Sequence, residues 1–282
     1  MDCVSIYSGV SFMIKNRHNL SNETGDNSGG KMLGTCKLCT LTKDLQESHL
    51  MPRALYRMAR GSGANGNQDP HVLTAKVRKP TSHQIKDYVL CRDCEQRFST
   101  NGEDYVMRLV TKRNGQFPLL DILKAKATPL RGKKWTAYTT AQTPDLDRSK
   151  IAYFALSVFW RASIHTWEQE SGEKQRIDLG KKYNEEIRRY LLVETPIPKN
   201  ATLLVAACTD EESQKTFYVP EENEKVKDRS FGFLARGIFF LFRITRTPAP
   251  YQARLSMVNT PHQPISVWNC FEQGVWRLGD GR

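Results

Sequence analysis

Cys36-Lys37-Leu38-Cys39 and Leu90-Cys91-Arg92-Asp93-Cys94 are the two stretches that decide the reading of this chain. Two thiolates two residues apart can grip one tetrahedral cation from a tight turn, and a second such pair closes the shell. The spacing predicts a Zn2+ site made by Cys36, Cys39, Cys91 and Cys94. A closed shell leaves no open position, so the ion is expected to be structural and to hold the local fold together. Four unrelated buried cysteines are the competing reading, which the paired spacing disfavours. The chain has seven cysteines, an odd number that argues against complete internal disulfide pairing. Cys3, Cys208 and Cys270 are therefore expected as free thiols, and a reducing, cytoplasmic setting is expected for the protein.

Charge points to the same segment. The net charge is +12 over 282 residues, and residues 31–134 hold 20 Lys/Arg against 9 Asp/Glu. Residues 135–282 are nearly balanced, with 20 against 18. A localised basic surface attracts polyanions by neutralising phosphates and releasing their counterions. Nucleic acid is the expected partner, most of all DNA, with an ordinary solvated basic face as the alternative. No apolar run reaches the length of a membrane span. The apolar stretch Val4 to Ile14 is interrupted by Ser5, Tyr7, Ser8 and Gly9 and has no basic leader, so a signal peptide is not expected.

The 51 residues between the cysteine pairs exceed the spacing of most zinc ribbons and contain Glu47-Ser48-His49-Leu50-Met51-Pro52. With that stretch placed between the pairs, the segment resembles the HNH, or ββα-metal, endonucleases. Their layout is a cysteine pair, a strand ending in an Asp-His-Ile-x-Pro-like run, and a second pair that opens a helix. The resemblance covers roughly residues 33–110. It implies that His49 is the general base that deprotonates the water attacking a phosphodiester, a role that suits an imidazole near neutral pH. It also implies a divalent ion, Mg2+ or Mn2+, with candidate ligands Ser48, Glu95, Glu47 and Glu103. Arg53, Arg57, Arg92 and Arg97 are the candidate phosphate-binding residues. The pattern departs from the family at three places. Ser48 stands where Asp or His is usual, Lys86 where Asn is expected, and Glu95 where His or Asn follows the last cysteine. A hydroxyl is a poorer Mg2+ ligand than a carboxylate. Local readings compete with the ligand roles: a charge at a helix start for Glu95, a cap for Glu103 and a solvated face for Glu47.

Around this segment the pattern predicts an α+β protein: a flexible, polar, Gly-rich segment over 1–31, a treble-clef or ββα-metal zinc module over 32–134, and a helical and β-rich body over 135–282. In the module, a helix is expected from Pro52 to Ala59, a Gly/Asn-rich loop from Gly61 to Pro70, and strands at Val72–Val77 and Tyr88–Leu90. A capping box at Thr100-x-x-Glu103 is expected to restart a helix running to about Thr111, with another from Phe117 to Ala127. In the body, Ile151 to Trp167 is apolar on nearly every face and reads as a buried central helix, with an amphipathic helix over Glu185–Leu192. Strands are expected at 202–207, 216–219, 231–244, 254–258, 265–268 and 275–278. Arg161, inside the apolar helix, requires a partner.

Three functions remain open on these residues. One is an HNH-like endonuclease or nickase, a kind of module that the resemblance associates with prokaryotic anti-phage or mobile-element systems. Another is a catalytically silent zinc module that binds nucleic acid. The third is a protein-interaction subunit in which the zinc only staples the fold; an endonuclease that awaits a protein activator belongs to the first reading.

Overall fold

The architecture is that of a computed structural model, which describes residues 32–59, 71–73, 78–80, 84–126, 129–131, 136–169, 172–223 and 229–269. The expectations for residues 1–31, the loop 61–70, the strand 275–278, Cys3 and Cys270 lie outside these residues, as do residues 74–77 of the strand expected at 72–77.

The chain mixes helices and sheets. Strand β1 (Met32–Thr35) turns through the first cysteine pair into β2 (Thr42–His49). Helix α1 (Arg53–Ala59) follows, with Pro52 just before it. A two-stranded ribbon of β3 (His71–Leu73) and β4 (Arg78–Pro80) precedes β5 (Lys86–Cys91). β1, β2 and β5 form one antiparallel sheet. β5 runs directly into α2 (Arg92–Phe98), with Cys91 at the helix N-cap.

The restart expected at Thr100 does not occur. α2 continues through a π-helical turn, Ser99–Glu103, into α3 (Asp104–Leu109) without a break. The Glu103 side chain is used elsewhere, as described below. Gly102 is what lets this turn press against its neighbour, since a Cβ there would lie 2.8 Å from the backbone nitrogen of Phe154. A short α4 (Pro118–Lys124) and the strands β6 (Leu130–Arg131) and β7 (Thr136–Tyr138) lead to the long helix α5 (Arg148–Ile164).

α5 is capped by Asp147, whose carboxylate accepts from the Lys150 N–H at 3.0 Å, and every residue from Ile151 to Ser163 is buried. It ends three residues before the expected Trp167. That tryptophan instead lies on β8 (Trp167–Glu168), paired with β9 (Lys174–Gln175). Helix α6 (Gly180–Leu191) begins five residues earlier than expected.

The remaining strands make a seven-stranded sheet. β10 is Ala201–Cys208, β11 Phe217–Glu222, β12 Arg229–Ala235, β13 Ile238–Ile244 and β14 Ile265–Trp268, with short helices α7 (Glu211–Lys215) and α8 (Pro250–Leu255) between them. The order is β11-β12-β13-β10-β14-β7-β6, antiparallel except for the β10/β14 pair. The single strand expected over 231–244 is a hairpin, because Arg236 and Gly237 take φ of 41° and 92° and turn the chain back. Gly237 allows this at no steric cost. The segment expected as a strand at 254–258 is the end of α8 and an extended exit.

The core is aromatic. Phe154 and Phe159 of α5 meet Phe233, Phe240 and Phe242 of the sheet at centroid distances of 4.9 to 5.9 Å. On its other side α5 meets Phe98 through Trp160 at 6.1 Å. One hydrophobic cluster runs from Cys36 and Leu50 through α5 to Phe242 and Ile265, so residues on both sides of position 134 share a core. Cys208, expected as a free thiol, is disulfide-bonded.

Candidate functional site

The four cysteines come together as their spacing requires. Their sulfurs all lie within 4.8 Å of one another, and Cys39 Sγ and Cys91 Sγ are 3.9 Å apart. Tetrahedral Zn–S bonds of about 2.3 Å put neighbouring sulfurs about 3.8 Å apart, so the cluster could hold a zinc ion. The first pair sits on a turn closed by Cys36 N–H to Leu41 O at 3.0 Å and Thr40 N–H to Cys36 O at 2.9 Å. Thr40 takes φ of 62° in that turn. Cys91 and Cys94 project from the start of α2, and burial pushes the Cys91 thiol up.

The backbone supports the sulfurs, with Cys91 N–H donating to Cys36 Sγ at 3.4 Å. The hydrogen bond from the Cys94 thiol, with backbone N–H groups, pulls the Cys36 thiol down to about 4, while the same contact and burial push Cys94 up. Four thiolates at this separation repel one another unless a cation lies between them. The body reaches this end too: Arg188 of α6 donates through Nη1 to Leu38 O at 2.7 Å.

His49 closes the other end of β2. Its Nε2 lies 2.7 Å from Gln84 Oε1. With that oxygen as acceptor, Nε2 carries the proton and Nδ1 keeps its lone pair. The ring is half-buried and lies 6.0 Å from the Tyr56 ring, centroid to centroid. Burial holds its pKa below the ordinary histidine value, and the nearby charges of Arg53, Lys86 and Arg161 act in the same direction. The neutral ring, which can accept a proton, is therefore the form favoured near pH 7.

The expected metal ligands do not gather around the ring. Ser48 is fully buried. Its hydroxyl accepts from Leu90 N–H at 3.0 Å and donates to Gln46 O at 3.4 Å. Glu103 forms an ion pair with Arg161 Nη2. Glu47 is bound by Lys86 Nζ at 2.8 and 2.9 Å. Lys86, at the place of the missing Asn, is the residue directly opposite His49 across the β2/β5 ladder. Among the described residues, the four cysteines are the only group of three or more His, Cys, Asp or Glu whose ligand atoms come this close. Glu95 keeps one oxygen, Oε1, buried without a partner, and burial raises its pKa. Mg2+ asks for a near-octahedral oxygen shell, usually with several waters retained. One dry carboxylate oxygen beside a guanidinium does not provide it, so these residues do not fit a catalytic Mg2+ or Mn2+.

Of the candidate phosphate-binding residues, Arg53, Arg57 and Arg92 are exposed and Arg97 is half-buried. Arg53, the first residue of α1, acts on the His49 ring. Arg57 lends its carbonyl to Arg113, and Arg92 lies beside Asp93 at the start of α2. Neither Gln84 nor Arg188 was singled out by sequence, and neither carries a local signal. The partners that Arg161 requires are Glu103 and the His49 carbonyl, to which Nη1 donates at 2.8 Å.

No family model, curated protein or solved structure matches this chain. No helix among the described residues is long and apolar enough to cross a membrane.

Proposed function

We propose that this chain acts on nucleic acid as an HNH-like phosphodiesterase, with a structural zinc on Cys36, Cys39, Cys91 and Cys94 in a treble-clef setting. The observation that carries this reading is His49 itself. It sits at the end of the strand whose start follows the first cysteine pair, is oriented by Gln84, is held below the ordinary histidine pKa, and has Arg53 and Lys86 near its ring. A base among cations suits an anionic ester, because the positive charge that adds to burial in keeping the ring unprotonated also attracts the phosphate.

In the proposed step a water oxygen bonds to phosphorus as Nδ1 of His49 takes the water's proton. The P–O bond to the leaving sugar oxygen breaks, that oxygen takes a proton from solvent, and the imidazolium returns its proton to water. Arg53 and Lys86 offset the charge that builds on the phosphoryl oxygens. DNA is the favoured substrate class, and action in a prokaryotic anti-phage or mobile-element system accompanies the family resemblance.

A specific observation favours a second reading, a catalytically silent zinc module that binds nucleic acid: Ser48, Glu47 and Glu103 are all engaged within the protein. Supercoiled-plasmid cleavage by wild type and His49→Ala at equal zinc content separates the two. Nicking by wild type alone supports the phosphodiesterase. Salt-sensitive DNA binding without cleavage by either supports the silent module.

A further inference from the structure

We infer that the fixed cation behind His49 is the guanidinium of Arg161, a residue of the C-terminal body, and that the described residues around it do not fit a divalent metal ion. The inference rests on the reading of His49 as the centre of the site and adds to it a positioning residue from outside the cysteine-containing segment.

Arg161 lies on α5 and is 1% exposed. Its planar fork is divided between two tasks. Nη1 donates to the His49 carbonyl at 2.8 Å, and Nη2 pairs with the Glu103 carboxylate. The Cζ atom stands 5.3 Å from the centre of the Phe98 ring, so the charge is sandwiched against an aromatic face. A second carboxylate, Glu95, feels the same charge. The two unpaired atoms of this cluster are complementary, since Arg161 Nε is a buried donor and Glu95 Oε1 a buried acceptor.

Two of the residues that the family resemblance offers to a metal, Glu103 through its ion pair and Glu95 through the field it feels, thus face one guanidinium, while Ser48 is committed to the backbone of Leu90 and Gln46. A divalent ion entering here would have to displace a buried cation from its carboxylate. That exchange is unfavourable because a charge left unpaired in the interior is costly.

The π-helical turn Ser99–Glu103 and Gly102 are the local devices that carry Glu103 to this place. Because Arg161 is buried, it does not meet substrate. It fixes the end of β2, from which the His49 ring projects, and adds a non-exchangeable positive field. Contact with the phosphate falls to the exposed Arg53 and Lys86.

Two measurements on the full-length, zinc-loaded protein test this. The first is Mn2+ binding followed by electron paramagnetic resonance, in wild type and Glu95→Gln. The inference expects no stoichiometric Mn2+ site that the substitution removes. One Mn2+ per chain in wild type, lost in Glu95→Gln, overturns it. This readout needs no enzymatic activity, so it stands or falls separately from the phosphodiesterase reading.

The second compares Arg161→Met with Arg161→Lys by hydrogen exchange at the Leu50 amide, which donates to Ile85 O at 3.0 Å just past His49. Faster exchange in the Met variant, reversed by Lys while exchange at the cysteine turn stays unchanged, supports a cationic positioning role. Unchanged exchange at Leu50 in the Met variant overturns it. Where cleavage is present, displacement of His49 in the Met variant is expected to lower it about 100-fold, with partial recovery in the Lys variant.

Discussion

The two ends of the eight-residue strand β2 are built on opposite principles. At its start, a tight turn and the first turn of a helix bring four sulfurs together, and each pair is set by a spacing of two residues. At its finish, His49 depends on partners far along the chain: Gln84 for its ring and Arg161 for its carbonyl, the latter separated from it by 112 positions. The first end is a local construction that a sequence can spell out. The second exists only after α5 has docked against the small sheet, so its chemistry is a property of the tertiary structure.

The sharpest way to break this comparison is at the sulfur end. Cys91→Ser is expected to release the proposed zinc and unfold the β1-β2-β5 sheet with α2. Structural zinc sites of this kind contribute roughly 10–16 kcal/mol of apparent binding free energy, more than the stability of most domains. Metal content by mass spectrometry and circular dichroism read this directly, and one zinc per chain with normal stability would remove the four-cysteine assignment.

At the other end, Arg161→Met leaves the half-buried Glu103 without its counter-charge and is expected to cost at most about 3–5 kcal/mol, measured by urea unfolding. A double-mutant cycle with Glu103→Gln should recover part of that loss, because the partner charge is then gone too. Additive losses would mean that the pair is not coupled.

His49→Ala should leave zinc content and folding unchanged while lowering cleavage by about 10²–10⁴-fold. Equal cleavage rates would take the imidazole out of the proposed mechanism.

The histidine also has a signature in stability. Its pKa is lowered in the fold, so on acidification the unfolded chain takes up this proton first, near its ordinary value of about 6.5. The stability that it contributes is present above that pH and is lost as pH falls through the lower folded value. Wild type should therefore lose more stability than His49→Gln on going from neutral pH into that window, and parallel curves would refute the lowered pKa.

The smallest effect is expected at Lys86, whose pairing with Glu47 is exposed. Lys86→Ala should change stability by less than about 1 kcal/mol. It should nevertheless reduce the slope of DNA affinity against salt by about one. An unchanged slope would place Lys86 outside the interface.

This contrast also marks what could be read in the amino-acid order. The cysteine cluster, the mixed α+β class and the burial of α5 were legible, because each depends on short spacings or on the composition of a continuous segment. The helix restart at Thr100 was not. Its local capping signal is real, but Glu103 has a stronger partner in Arg161, and a buried guanidinium outweighs a cap worth about 1 kcal/mol. The hairpin within 231–244 was hidden because Arg236 and Gly237 interrupt an otherwise continuous apolar run. Of the acidic residues offered to a metal, sequence gave the neighbourhood and missed the occupant. Nothing local says that Glu95 and Glu103 lie about one guanidinium from another part of the chain.

The π-helical turn at Ser99–Glu103 makes this region intolerant of changes in length. A π turn holds one residue more than the α turn that it replaces. Deleting a single residue there would yield a smoother helix and satisfy every local preference, yet it would rotate all that follows by about 100°. Tyr105, whose hydroxyl accepts from the Asp147 N–H at 2.8 Å, would swing away from α5 together with Glu103. Chains descended from a common ancestor with this one should accept substitutions between the second cysteine pair and Leu109 far more readily than they accept a gap.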